Sequence, residues 1–240
     1  MDDAQRVAAE IALSVLAEDG FILAGGQALE EHGVIARMSE DVDLFALHRN
    51  HTPETFAASL KKVRVALEAA GYTVGVTRQY QEFASLTVEM DGITVVMDLG
   101  LDWWENKPAV VDVGPVMSLK DSVASKLLAV YSRGYVRDYL DAYSIINSGR
   151  FTPLQLIELC RRRDPHLDLE LFATSMTGHR ALPTTAFTTY GLPAEELSRL
   201  DTTLTGFAKT IRHYKSVAGQ TIEPVDLGGP GITPGGPDIA

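Results

Sequence analysis

An alternation of acidic and apolar residues constrains the fold of this 240-residue chain more than any other feature. A two-residue period runs through residues 41–46, DVDLFA, and is typical of a β-strand with one face on a core. Because alternate residues of a strand point to the same side, Asp41 and Asp43 are predicted to present their carboxylates side by side. Any fold for this chain must therefore accommodate two neighbouring negative charges.

A short apolar segment, residues 21–24, precedes this strand and ends at the pair Gly25-Gly26. Helical character follows over residues 27–31, so the sequence predicts a strand, a glycine turn and a helix in that order. Glycine amides can approach a ligand closely because no side chain blocks them. We therefore consider the pair a candidate contact for phosphate oxygens.

Strand signals are concentrated in the first half of the chain and helical spacing dominates the second half. Asp91-Gly92 separates two β-rich segments and predicts a hairpin. Helices are predicted to begin near Thr52, Ser118, Val136 and Thr152. This order predicts an α+β fold, with a mixed sheet and flanking helices followed by a helical half.

Three parts are predicted along the chain. Residues 1–116 form an α/β core, residues 117–222 a helical domain, and residues 223–240 a Gly/Pro-rich tail that we expect to be disordered.

Composition excludes several classes of protein. A net charge of −11 argues against a protein that coats DNA or membrane surfaces, although a local basic patch stays compatible with it. The single cysteine, Cys160, cannot form an internal disulfide or a cysteine-based zinc site. No apolar run approaches the length of a membrane span, and the acidic start of the chain is unlike a signal peptide. We expect a cytoplasmic protein with no membrane partner.

A third acid, Asp98, closes the second arm of the predicted hairpin. Two close carboxylates repel each other unless a cation lies between them, and Mg²⁺ prefers oxygen ligands. With Asp98 as a further ligand, Asp41 and Asp43 predict a site for one or two Mg²⁺ ions that bind nucleotide phosphates. An Asp-x-Asp pair alone is also common at strand edges, so the order of the glycine turn and the three acids carries the prediction.

Residues 24–29, AGGQAL, and residues 37–44, RMSEDVDL, resemble the first motif of the DNA polymerase β-like nucleotidyltransferases. More narrowly, the chain is similar to the AbiEii/AbiGii branch, the toxins of bacterial abortive-infection and MenT-type toxin–antitoxin systems. That branch also has a helical lysine, an arginine and an Arg/Lys-Asp-x-x-Asp element, which Lys126, Arg133 and residues 137–141, RDYLD, match in order. The resemblance covers roughly residues 20–148 and implies an N-terminal polymerase β-like mixed sheet.

The resemblance also implies Mg²⁺-dependent transfer of NMP from an NTP to a hydroxyl, with release of pyrophosphate. Metal ligands are then Asp41, Asp43 and Asp98, of which Asp98 binds metal or acts as a base. The catalytic set also includes Lys126 and Asp141. Substrate-binding residues are predicted to be Gly25, Gly26, Arg37, Ser39, Arg133 and Asp138. Ser39 is expected to provide the phosphate-binding hydroxyl, because many superfamily members have Gly-Ser where this chain has two glycines.

Spacing supports these roles. Lys126 and Arg133 are close to two helical turns apart and share a face that can meet a triphosphate. Asp138 and Asp141 are three residues apart and face one side of the next helix. One of these acids is predicted to orient Lys126 by an ion pair or to position the acceptor, and an ordinary interhelical salt bridge is the alternative for Asp138.

By resemblance, the acceptor is the 3′ end of tRNA, whose modification blocks translation, and a cognate antitoxin is a further partner. The basic run Arg161–Arg163 can contact an RNA backbone, although such a run is also typical of a solvated helix end. Two alternatives keep the fold. In the first, the enzyme transfers NMP to a small-molecule or protein hydroxyl. In the second, the chain is a nucleotide-binding regulator without transfer activity.

Overall fold

The computed structural model describes residues 1–217, so the predicted tail at 223–240 lies outside the described residues. The helices of the described part are α1 (Asp3–Leu16), α2 (Gly25–Glu31), α3 (Pro53–Ala69), α4 (Leu119–Ser132), α5 (Val136–Asn147), α6 (Pro153–Arg163), α7 (Leu169–Met176), α8 (Thr184–Thr189) and α9 (Leu197–Val217). The strands are β1 (Ile22–Leu23), β2 (Asp41–Leu47), β3 (Thr73–Gln79), β4 (Phe83–Met90), β5 (Ile93–Asp102), β6 (Ala109–Val111) and β7 (Gly114–Val116). None of the helices within residues 1–217 combines the length and apolar character needed to cross a membrane.

The strands of the described residues form one seven-stranded mixed sheet in the order β3-β4-β5-β2-β1-β7-β6. At its centre β2 runs parallel to β5, with Asp43 opposite Asp98. β4 and β5 form the predicted hairpin around Asp91-Gly92, where both residues have positive φ. This mixed sheet with helices on its flanks confirms the predicted α+β fold.

Polar side chains fix the starts of three helices where the sequence predicted them. The hydroxyls of Thr52, Ser118 and Thr152 accept hydrogen bonds from backbone amides in the first turns of α3, α4 and α6. Each satisfies an amide that the helix itself leaves without a partner. Local sequence therefore determines where these helices begin.

Two groups of buried apolar residues stabilise the structure. The first packs α1 and α3 against one face of the sheet and includes Val42, Leu44 and Met97. The second lies among the helices from α4 to α9 and also contains Leu29 of α2. The sheet ends at Val116 and α4 begins at Leu119, while the division of the chain into separate domains at residue 116 stays a prediction. The opposite face of the sheet carries the acidic residues.

Candidate active site

Three carboxylates meet on two neighbouring strands. Asp41 and Asp43 lie on β2, and Asp98 lies on β5 directly opposite Asp43. One oxygen from each carboxylate lies within 4.8 Å of the other two. The structure thus brings together the three acids that the sequence proposed as metal ligands, and we call them the acidic triad.

The electrostatics of the acidic triad favour the uptake of a positive charge. Burial, reinforced by repulsion from Asp41 and then Asp98, raises the pKa of Asp43 to about 7, although Lys126 and Arg137 oppose the shift. The Oδ1 atom of Asp98 is buried without a hydrogen-bond partner within residues 1–217. Buried carboxylate oxygens that lack donors are the ligands a hard divalent cation prefers. The residues present therefore fit a site for a divalent cation.

The glycine pair makes room for two of the predicted site residues. A Cβ atom on Gly25 would lie 1.7 Å from Oδ2 of Asp43, and the φ of Gly25 is +61°. A Cβ atom on Gly26 would lie 2.8 Å from Oγ of Ser39. Glycine is required here because the chain turns in the left-handed region while a carboxylate packs against it. The Ser39 hydroxyl consequently lies against the glycine turn, where the sequence required a hydroxyl.

Asp141 on α5 forms ion pairs with two cations, Arg37 and Lys126. Its carboxylate is fully buried and accepts hydrogen bonds from Nε and Nη2 of Arg37, both at 2.7 Å. The Lys126 ammonium lies 2.9 Å from Oδ2 of the same carboxylate. Because Asp141 has no exposed surface, it cannot contact a ligand directly. Its geometry is that of a positioning residue for Lys126 and Arg37, one of the two roles that the sequence left open.

Asp138 binds the other predicted cation. Its buried carboxylate accepts two hydrogen bonds from Arg133, at 2.9 and 3.0 Å, and one from the backbone amide of Tyr135. The Arg133 guanidinium lies over the Tyr135 ring, 5.3 Å from its centroid. This arrangement is the salt bridge between helix ends that the sequence offered as the alternative for Asp138, and it fixes the position of Arg133.

Two cavities meet at the acidic triad. The first, of about 420 Å³, lies between the glycine turn and α4, and we call it the glycine cavity. Its lining includes Gly25, Ser125, Ser132 and Arg163. The second, of about 370 Å³, contains the whole acidic triad and four arginines, and we call it the arginine cavity. The residues that line both cavities are Asp43, Phe45, Lys126 and Arg133. A reaction between two substrates can therefore take place at this junction.

The four arginines of the arginine cavity are Arg37, Arg78, Arg133 and Arg137. Arg137, in the element that the sequence matched, lies 3.0 Å from Glu40 and 3.7 Å from Asp41. Arg78 and the aromatic residue Tyr135 are lining residues that the sequence did not identify. Nothing in the local sequence of β3 marks Arg78, because it belongs to no motif and reaches the cavity through strand pairing.

The three arginines at the end of α6, Arg161–Arg163, each contact a different partner. Arg163 binds Asp102 and lines the glycine cavity, whereas Arg162 lies 3.6 Å from Glu105. Arg161 donates a hydrogen bond to the hydroxyl of Tyr214. Of these three arginines, only Arg163 lines either cavity.

Two solved structures of other proteins are similar in fold to this chain. The structure of JHP933 from Helicobacter pylori has a TM-score of 0.54 at 16% identity, covering 90% of this chain and 93% of that one. A "putative nucleotidyltransferase" from H. pylori has a TM-score of 0.52 at 13% identity, covering 93% and 100%. At these identities the likeness establishes the fold alone. The search of curated proteins found no match.

The family described as nucleotidyl transferase AbiEii toxin, type IV toxin–antitoxin system, matches residues 9–201. This match spans both the sheet with the acidic triad and the helices that carry Lys126 and Asp141. It confirms the resemblance to AbiEii toxins drawn from the glycine turn, the acids and the helical cations. The chain belongs to the AbiEii nucleotidyltransferase toxin family.

Proposed function

We propose that this chain is a Mg²⁺-dependent, MenT-like toxin that transfers NMP from an NTP to the 3′ end of tRNA and so blocks translation. The observation that carries the proposal is the acidic triad: one oxygen from each carboxylate lies within 4.8 Å of the other two, and Asp43 lines both cavities. We place its action in the cytoplasm, where NTP and tRNA occur together, and a cognate antitoxin would restrain it.

Asp41, Asp43 and Asp98 would hold the metal. When bound, Mg²⁺ supplies positive charge that neutralises the triad and stabilises negative charge on the phosphates. The unpartnered Oδ1 of Asp98 and the raised pKa of Asp43 support this assignment, since both indicate carboxylates without sufficient positive charge nearby.

In the transfer, the acceptor hydroxyl oxygen forms a bond to the α-phosphorus of the NTP. The bond from this phosphorus to the α,β-bridging oxygen breaks, and pyrophosphate leaves with the bonding electron pair. The hydroxyl proton would pass to the Asp98 carboxylate when Asp98 acts as the base, and to solvent water when Asp98 is a metal ligand. Lys126 and Arg133 line both cavities, so their charges can stabilise the triphosphate and the departing pyrophosphate.

Two cavities allow an assignment of substrates. The glycine cavity offers the serines of α4, Lys126 and the backbone at Gly25, and we assign the NTP to it; Ser39 packs against Gly26 from the side of the arginine cavity. The arginine cavity then receives the acceptor. Of its four arginines, Arg78 has no carboxylate partner within residues 1–217, so its charge can bind an anionic backbone while a terminal hydroxyl reaches the three acids; this supports RNA.

The test is to incubate purified protein with each α-³²P-labelled NTP, total RNA and Mg²⁺, and to identify the labelled molecule. We expect label at the 3′ ends of tRNA from one preferred NTP, none with EDTA, and none with Asp41→Ala. The matched control is Asp112→Ala, since Asp112 is an exposed acid in the β6–β7 turn outside both cavities. Label on a protein or a small alcohol would replace tRNA as the acceptor, and nucleotide binding without any labelled product would indicate the regulator.

A further inference from the structure

Arg78 differs from the other arginines around the acidic triad. Arg37, Arg133 and Arg137 each bind a carboxylate, as described above. Arg78 is exposed and has no ion pair or side-chain hydrogen bond within residues 1–217. Its guanidinium lies over the ring of Phe83, 5.5 Å from the centroid. Its charge is therefore available to a ligand in a way that the other three charges are not.

A β-bulge puts Arg78 on the face of the sheet that carries the acidic triad. Val76 pairs with Leu86, and the register then shifts so that Arg78 pairs with Ser85. Without the shift, Arg78 would lie opposite Ala84, which faces the hydrophobic core. The extra residue, Thr77, is held by a hydrogen bond from its hydroxyl to the carbonyl of Ser85. Bulges beside active sites commonly re-aim a side chain in this way.

The shifted register completes a row across four strands. Arg78 on β3 pairs with Ser85 on β4, Ser85 pairs with Asp98 on β5, and Asp98 pairs with Asp43 on β2. Neighbouring strands are about 4.8 Å apart, so the backbone of Arg78 lies about 10 Å from that of Asp98. A substrate that reaches from the acidic triad toward β3 can therefore contact Arg78 with a group other than its reacting hydroxyl.

Aromatic rings line the same edge of the sheet. Phe83 and Phe45 lie on either side of Gly100, where a Cβ atom would come within 3.6 Å of both rings. Tyr80 in the β3–β4 turn is 68% exposed, and its ring lies 6.5 Å from that of Phe83. The Tyr80 ring is exposed, whereas Phe83 and Phe45 are half-buried. An exposed ring next to an arginine without a carboxylate partner suits single-stranded nucleic acid, since a base can stack on the ring and the guanidinium can bind phosphate.

We propose that Arg78, positioned over the Phe83 ring, binds a backbone phosphate upstream of the 3′ end of a single-stranded RNA acceptor, with Tyr80 stacking on the adjacent base. This inference rests on the proposed function and deepens it, because it assigns the acceptor's path along the β3–β4 edge. Arg78 acts there as an acceptor-binding residue and has no part in binding the NTP.

The test compares Arg78→Gln with Arg49→Gln. Arg49 is also exposed and has no ion pair within residues 1–217, but it lies outside both cavities, so its loss removes the same charge elsewhere. The probe is a short fluorescein-labelled single-stranded RNA ending in CCA, titrated without NTP. A second probe carries a neutral methylphosphonate in place of the phosphate next to the terminal nucleotide.

We expect Arg78→Gln to weaken RNA binding by at least about tenfold, as loss of a charged hydrogen bond does, and Arg49→Gln to leave it nearly unchanged. The slope of log affinity against log salt should also become shallower, by the amount that corresponds to about one phosphate contact. In transfer assays Arg78→Gln should raise KM for RNA while KM for the NTP stays constant. The methylphosphonate probe should bind Arg78→Gln as well as the unmodified probe does.

Equal RNA affinities for the two variants, with RNA still labelled by the wild-type protein, would overturn the role of Arg78 and leave the proposed function intact. Failure of the wild-type protein to label any RNA would overturn both. A rise in KM for the NTP in Arg78→Gln would also overturn the inference, because it would place Arg78 in the NTP site.

Discussion

Gly25 and Asp43 depend on each other for their positions. Gly25 turns in the left-handed region, and a side chain there would overlap the Asp43 carboxylate. The same residue pair thus sets both the backbone of the glycine turn and the location of a proposed metal ligand. At the residue scale, the site is determined by which side chains are absent as much as by those present.

Gly25→Ala should destabilise the protein and abolish transfer, because the new methyl group must displace Asp43. Gly20→Ala is the matched control, since Gly20 also has positive φ but its Cβ would meet nothing within 4 Å. Urea denaturation should show that Gly25→Ala costs about 1–3 kcal/mol more than Gly20→Ala. Equal losses for the two variants would mean that backbone strain alone matters at Gly25.

Asp43 should make the metal-free protein less stable as pH rises from about 4 to about 7. Burial and neighbouring acids raise its pKa from 3.8 to about 7. The folded state therefore holds this proton more tightly than the unfolded state between these values, and the stabilising protonation is lost as pH rises through them.

The measurement is the difference in Tm between the wild-type protein and Asp43→Asn in EDTA. Wild-type stability should fall relative to the variant from pH 4 to pH 7 and stay level above that. Adding Mg²⁺ at pH 8 should restore wild-type Tm and leave Asp43→Asn much less affected. A difference in Tm that does not change with pH would contradict the raised pKa.

At the scale of elements, Asp141 connects three parts of the chain. It lies on α5 and forms ion pairs with Lys126 on α4 and with Arg37 in the segment between α2 and β2. Both cations are mostly buried, so the carboxylate must compensate for their lost hydration. The position of Lys126 at the junction of the cavities therefore depends on the packing of α5 against α4.

Asp141→Asn should reduce the free energy of unfolding by about 3–5 kcal/mol, since it leaves two buried cations without a negative partner. It should also raise KM for the NTP, because Lys126 is no longer held in place. The exposed pair Arg64 and Glu68 provides a control, for which Glu68→Gln should cost less than about 0.5 kcal/mol. Chemical denaturation monitored by circular dichroism measures both, and equal costs would contradict the burial argument.

At the scale of the whole molecule, charge is distributed unevenly. The chain carries a net charge of −11, yet the arginine cavity concentrates four guanidinium groups around three carboxylates. Overall charge governs long-range attraction, whereas binding depends on local cations. The acidic surface and the arginine cavity are therefore compatible with a polyanionic acceptor.

Transfer to tRNA should consequently decrease steeply with added KCl, because each phosphate contact contributes about −0.7 to the slope of log affinity against log salt for a single strand. KM for the NTP should depend on KCl much more weakly. Measuring initial rates over a KCl series, with RNA and NTP varied separately, checks this. A transfer rate that is insensitive to salt would favour a small-molecule acceptor.

Features that depend on neighbouring residues could be predicted from the sequence. The alternation around Asp43 predicted β2, Asp91-Gly92 predicted the hairpin, and Thr52 predicted the start of α3. Each of these signals acts within a few residues through backbone conformation or capping, so it can be recognised without knowing the fold. The order of the motifs was likewise sufficient to identify the family.

Which side chains contact each other across helices and strands follows from the packing of the whole chain. This packing paired Asp141 with Lys126 and Arg37, and it paired Asp138 with Arg133, where spacing along α5 had left the partners open. The arginine cavity also acquired Arg78 through a bulge in a strand that carries no motif. The physical reason is that such contacts depend on strand register and helix packing, which many sequence-distant residues set together.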